Sequence, residues 1–218
     1  MTGRTVRALA AVVAAGTAAA GMVAVPAAGA DQRARPVVIY DSDMDFDDAA
    51  TLALLAEEDR RGRIDLAAVT VVDDGAGLPG KTAQHARCIL DRLGLHDVPV
   101  AEGSPSAANA FPAGLRQTID QVLDTALPGC RPDQQRGRLT APRLIREVLG
   151  KHHGAQLIVT GPLSNVASAR PGPDVRVTSM GGAVRVPGNL CCGTPAEFDG
   201  SQEFNYWIDP AASRAVLH

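Results

Sequence analysis

Asp41, Asp43, Asp45, Asp47 and Asp48 place five carboxylates in eight positions, directly behind the apolar run Val37-Val38-Ile39-Tyr40. Carboxylates crowded in this way either hold protons or gather around a cation, because their repulsion in a partly dry site is too costly to leave uncompensated. A donor set of oxygen alone suits a hard ion, calcium or magnesium, better than zinc or copper. A helix-loop-helix calcium loop requires Gly at its sixth position and Glu at its twelfth. Counted from Asp41 these are Phe46 and Leu52, so that loop is excluded. Asp47 and Asp48 also suit the first turn of a helix, where the backbone dipole favours negative charge. That accounts for only these two carboxylates.

Further polar clusters stand behind later apolar runs: Asp73-Asp74-Gly75-Ala76-Gly77, Thr160-Gly161-Pro162 and Gly181-Gly182. Gly188-Asn189 suits a turn, and the Thr160 side chain suits capping of the turn that follows it. Glu203 and Asn205 alternate with apolar neighbours, as on an exposed strand face. Phe198, Phe204, Tyr206 and Trp207 crowd into one short stretch. Packing is the default for such a group, and a wall against a nucleobase is the sharper reading. His85, His152 and His153 lie in helical patterns and read as core or surface residues, not catalysts.

The elements that position these residues follow from hydrophobic periodicity. Strands are predicted at Val37 to Tyr40, Ile64 to Val72, Val98 to Ala101, Leu157 to Thr160 and Val175 to Met180. Helices are predicted at Asp47 to Arg61, Leu78 to Leu93, Ala113 to Thr125 and Pro142 to Lys151, with a last one from Pro210 behind an Asp209 cap. This alternation predicts an α/β fold, a Rossmann-like, doubly wound, mostly parallel sheet with helices on both faces. In such a sheet the ligand crevice lies beyond the carboxyl ends of the strands, so the polar clusters are expected to face one cleft.

Arg4 and Arg7 precede an Ala/Val-rich stretch that ends in Ala28-Gly29-Ala30, which predicts a signal peptide over 1–30 and a secreted domain over 31–218. A formal net charge of −3 provides no basic field, which argues against nucleic acid or an anionic membrane as partner and favours a small molecule. Secretion implies an oxidising compartment for the four cysteines. Cys88 is expected to be a buried core residue and Cys130 to pair with Cys191 or Cys192; sequence alone leaves the pairing open.

Residues 41–55, D-S-D-M-D-F-D-D-A-A-T-L-A-L-L, resemble the signature of the inosine-uridine-preferring nucleoside hydrolase family. Val159-Thr160-Gly161-Pro162-Leu163-Ser164-Asn165, Met180-Gly181-Gly182 with Gly188-Asn189, and the stretch Glu203 to Ala212 match in the expected order. The resemblance implies that Asp43 is both a Ca2+ ligand and the general base, with Asp48 and the Thr160 carbonyl as further ligands. It implies that Asp47, Asn189, Glu203 and Asn205 hold ribose hydroxyls and that Asp41 orients the metal ligands from behind. Asp74 is the nearest stand-in for a ribose-binding Asn that the family often carries after its second strand.

The activity implied is calcium-dependent hydrolysis of the N-glycosidic bond of a ribonucleoside, in a chain that forms a homo-oligomer. Two other readings are a catalytically silent calcium and ribose binder, and a phosphatase of the haloacid-dehalogenase type, which also places D-x-D after a first strand. The chain departs from the family pattern at Met44-Asp45, where Pro-Gly is usual. It also ends at His218 inside a helical pattern, before the family's last calcium-binding Asp and a His near the leaving group, and is therefore expected to be either a truncated version of a longer enzyme or a natural short form that binds weakly and turns over slowly.

Overall fold

Strand β1 (Val37–Ser42) carries the first aspartates out of the middle of a sheet, because its neighbours on both sides bury it. The computed structural model describes residues 34–103, 107–109, 111–131, 139–191 and 198–218. Behind β1 come α1 (Phe46–Arg60), β2 (Asp65–Val71), α2 (Lys81–Arg92), β3 (Val100–Glu102), α3 (Ala113–Ala126) and α4 (Ala141–Lys151). They are followed by β4 (Gln156–Val159), α5 (Ser164–Ala169), β5 (Arg176–Ser179), α6 (Phe204–Ile208) and α7 (Pro210–Leu217). The sheet order is β3-β2-β1-β4-β5 and every pairing is parallel.

Strands buried on two faces are rich in aliphatic residues, and β1 distributes its side chains accordingly. Val38 and Tyr40 pack with Leu52 and Ala56 of α1 and Ala83, Ala86 and Leu90 of α2. Ile39 turns the other way, toward Leu144 and Ile145 of α4, Val166 of α5 and Ala212 of α7. The doubly wound α/β architecture predicted from the alternation is therefore present. Its switch point lies between β1 and β4, where the chain leaves β1 toward one side of the sheet and β4 toward the other.

Several details differ from the sequence expectation. β1 continues through Asp41 and Ser42, which stay in ladder register with Thr70 and Val71 of β2. Glu203 and Asn205 are not on a strand: Glu203 caps α6 and Asn205 lies within it. Neither α6 nor the six-residue α5 presents enough turns for a helical period to be read. Cys88 is half-buried and bonded to Cys130, and so is neither a free core thiol nor an onlooker to a pairing of Cys130 with Cys191 or Cys192. One helical turn before Cys88, the Gln84 amide donates to the Cys130 carbonyl at 3.2 Å, which brings that loop against α2. Cys191 is also in a disulfide. Residues 1–30, read as a leader, lie outside the described residues. Among the described residues no helix is long and apolar enough to cross a membrane.

Candidate active site

The aspartate turn is built by backbone geometry. Met44 adopts φ 57, a left-handed conformation that costs a residue with a Cβ roughly 1–2 kcal/mol. Its side chain is fully buried, which holds it there. Asp45 then caps α1: its carboxylate accepts from the Phe46 N–H at 2.6 Å, while its own N–H donates to Asp48 Oδ2 at 3.0 Å. The Asp43 N–H donates to the same Asp48 oxygen at 3.2 Å. The turn thus folds the first helical turn back onto the strand end, setting Asp48 beside Asp43.

Asp43 is buried, and the loop behind β2 closes over it. The Ala76 N–H donates to Asp43 Oδ2 at 2.6 Å. A Cβ on Gly75 would stand 2.0 Å from that oxygen, and a Cβ on Gly161 would stand 2.7 Å from the Asp43 nitrogen. The glycines of D-D-G-A-G and T-G-P are therefore the residues that leave room for this carboxylate. Burial first, and then the negative charge of Asp48, hold the Asp43 carboxyl well above the usual carboxylate range. Burial also raises Asp45.

Asp41 sits one step deeper, fully buried. Thr70, its register partner on β2, donates to Asp41 Oδ1 at 2.5 Å, and Asn165 Nδ2 donates to the same oxygen at 2.8 Å. Among the described residues Asp41 Oδ2 has no hydrogen-bond partner. Burial pushes this carboxyl up to about 7, against the lowering effect of those two donors. Across the switch point the Thr160 N–H donates to the Asp41 carbonyl at 2.9 Å, so the turn after β4 is fixed to β1. Asp41, Asp43, Asp48 and Thr160 are thereby brought together at the carboxyl ends of β1 and β4.

The remaining expected residues are arranged around this group. Asp47 is exposed on α1, its Oδ1 accepting from the Asp48 N–H at 3.2 Å. Asn205 is buried and its amide donates to the carbonyls of Thr160 and Met180 at 2.9 and 3.1 Å. Glu203 accepts from the N–H groups of Asn205, Tyr206 and Gly182, joining the α6 cap to the turn after β5. Asn189 is exposed and its Oδ1 accepts from the Phe204 N–H at 2.8 Å. Asp74 accepts from Ser164 Oγ at 2.7 Å, and its charge adds to the rise at Asp41. Phe111 and Phe204, and Phe198 and Trp207, pack edge to face at 4.6 and 4.8 Å between ring centres.

Thr70, Asn165, Tyr40 and Arg116 were not assigned roles from sequence. Arg116 of α3 donates to the carbonyls of Asp73 and Gly77, clasping the loop that closes over Asp43. Asn165 carried a signal as the last residue of the family-like stretch from Val159, and Tyr40 as a hydroxyl-bearing residue in a strand otherwise aliphatic up to that point.

Burial, the charges of Asp48 and Asp45 and one backbone donor act on Asp43, and two buried carboxylates side by side have the chemistry of a cation site. Asp43, Asp48 and the Thr160 carbonyl supply oxygen donors alone, as a hard ion requires. Among the described residues no three His, Cys, Asp or Glu side chains form a complete metal-binding group.

A family model described as inosine-uridine preferring nucleoside hydrolase matches residues 38–218. The chain is 35% identical over 190 residues to the pyrimidine-specific ribonucleoside hydrolase RihA of Shewanella oneidensis, covering 83% of this chain and 55% of that relative. It is 32% identical over 193 residues to the pyrimidine-specific ribonucleoside hydrolase RihB of Escherichia coli O157:H7, covering 83% of this chain and 55% of the relative. Among solved structures, the inosine-uridine preferring nucleoside hydrolase from Bacillus anthracis superposes with TM-score 0.68 at 26% identity, covering 84% of this chain and 61% of that one. The chain thus spans little more than half the length of the curated relatives it matches.

Proposed function

The chain belongs to the inosine-uridine preferring nucleoside hydrolase family, and from that premise we propose that it serves calcium-dependent hydrolysis of the N-glycosidic bond of ribonucleosides. The observation that carries this reading is the pairing of Asp43 with Asp48 at the sheet's switch point, enclosed by Ala76, Gly75 and Gly161.

Asp43, Asp48 and the Thr160 carbonyl would hold the ion. When bound, Ca2+ supplies positive charge that makes a neighbouring water easier to deprotonate. Asp43, held beside Asp48 by the turn and by the Ala76 N–H, is placed to accept a proton from that water. The water oxygen forms a bond to the anomeric carbon while the bond from that carbon to the base nitrogen breaks, and the base leaves with the electron pair and takes a proton from solvent, to which Asp43 returns the one it accepted. The intermediate charge on the sugar is oxocarbenium-like, which the surrounding carboxylates favour. Asp41, with Thr70 and Asn165 behind it, keeps the end of β1 fixed during this step. Asp47, Asn189, Glu203 and Asn205 are the side chains proposed to meet the ribose hydroxyls, with Asp74 as an auxiliary.

The names of the curated relatives put pyrimidine ribonucleosides first among substrates, and the structural neighbour adds inosine. The Cys88–Cys130 disulfide supports a further proposal, that the protein works in an oxidising compartment after export. The direct test is incubation of the full chain with uridine, cytidine and inosine, with calcium or with a chelator. Release of free base and ribose that stops on chelation is expected. No release at any calcium concentration would contradict the proposal.

A further inference from the structure

Tyr40 stands where a central parallel strand ordinarily carries an aliphatic residue, and its ring is packed among Val38, Leu52, Ala56 and Val69. A buried tyrosine needs a partner for its hydroxyl, and this one finds partners on both sides of the switch point. The hydroxyl lies 3.2 Å from the Asp48 carbonyl and 3.4 Å from Asp48 Oδ1, both acceptors for its proton. It lies 2.8 Å from Thr160 Oγ1, where either hydroxyl can donate. Asp48 is on the first turn of α1 and Thr160 follows β4. Apart from Tyr40, the hydrogen bonds described above tie Thr160 to β1 and Asp48 to the turn behind β1, but not to each other.

We propose that Tyr40 is a positioning residue for the cation site, its hydroxyl fixing the separation of the Asp48 carboxylate and the Thr160 turn so that both present oxygen to one ion. This rests on the calcium reading above. Removal of the hydroxyl leaves the ring packing in place and frees the two donors to move independently. Loss of outer hydrogen bonds of this kind typically weakens metal binding by roughly 10–100-fold.

The test is calorimetric titration of calcium chloride into the full chain without nucleoside, for the wild type, Tyr40→Phe, Thr160→Val and the double variant. Thr160→Val removes the hydroxyl and keeps the main-chain carbonyl. Each single variant is expected to bind calcium at least about tenfold more weakly. The double variant is expected to bind about as weakly as either single one, because both break the same link. Tyr40→Phe at wild-type affinity would overturn the role of Tyr40 alone, whereas a wild type that takes up no calcium would overturn the calcium reading as well. Should circular dichroism find Tyr40→Phe unfolded, Thr160→Val decides, and wild-type affinity in that variant would overturn the proposal.

Discussion

At the residue scale the site is a set of carboxylates that the fold keeps at a disadvantage. Asp43 is dry, close to Asp48 and raised, so its charge is costly until a cation arrives. Replacing it by Asn is expected to lower base release by roughly 100- to 10,000-fold, the usual effect of losing a general base, and to raise the melting temperature of the calcium-free protein. Activity assays and thermal melts on the same preparation check both signs.

Asp41 gives a pH dependence. Its ordinary 3.8 becomes about 7 in the fold, so the folded state prefers the protonated form. That contribution is complete below the ordinary value and is lost as pH rises through about 7. In chelator, the wild type should therefore melt at a lower temperature at pH 8 than at pH 5. Asp41→Asn should reduce the difference, leaving the share of the raised Asp43 and Asp45, and a wild type more stable at the higher pH would speak against it. The acidic residues themselves were evident in the sequence, since five of eight positions cannot be ordinary surface. Thr70 and Asn165 were not, because their contact with Asp41 depends on strand register and on a short helix that local patterns do not encode.

At the scale of elements, the loops after β2 and β4 have to come very close to the aspartate turn. Gly75→Ala puts a methyl group 2.0 Å from Asp43 Oδ2, a distance no side chain tolerates. It should abolish calcium binding in calorimetry while an alanine at Gly94, where no atom lies within 4 Å, leaves calcium binding intact at a cost in stability from its positive φ. The disulfide between α2 and the loop after α3 spans 42 residues, which on loop-closure entropy corresponds to roughly 4 kcal/mol. Replacing Cys88 and Cys130 together by Ser should remove a stability of that order in denaturant titration. The longer helices and the strands were readable because each carries an apolar period of sufficient length. The cap at Asp209 was readable too, and its carboxylate accepts from the Ala212 N–H at 2.9 Å. α6 was not readable as a helix because five residues sample little more than one helical turn, so alternation in Glu203-Phe204-Asn205 is equally compatible with a period of two.

At the scale of the whole molecule, the sheet order decides where chemistry can occur. β1 lies at the centre with β2 and β4 on either side, so the turns behind β1, β2 and β4 converge at one end of the sheet. The alternation of strands and helices implied that convergence before any contact was known. Which of the polar clusters spend their hydrogen bonds on the backbone was not legible. The Asn205 amide secures the Thr160 and Met180 carbonyls, and Glu203 secures α6 and Gly182, arrangements set by a chain path and not by residue type.

The central claim is that a hard divalent ion is held between Asp43, Asp48 and the Thr160 carbonyl. Its most direct test is an anomalous difference map from crystals of the full chain soaked in calcium. A peak about 2.3–2.6 Å from an oxygen of each of those three residues is the expected result. A clear map with Asp43 and Asp48 ordered and no peak between them would contradict it.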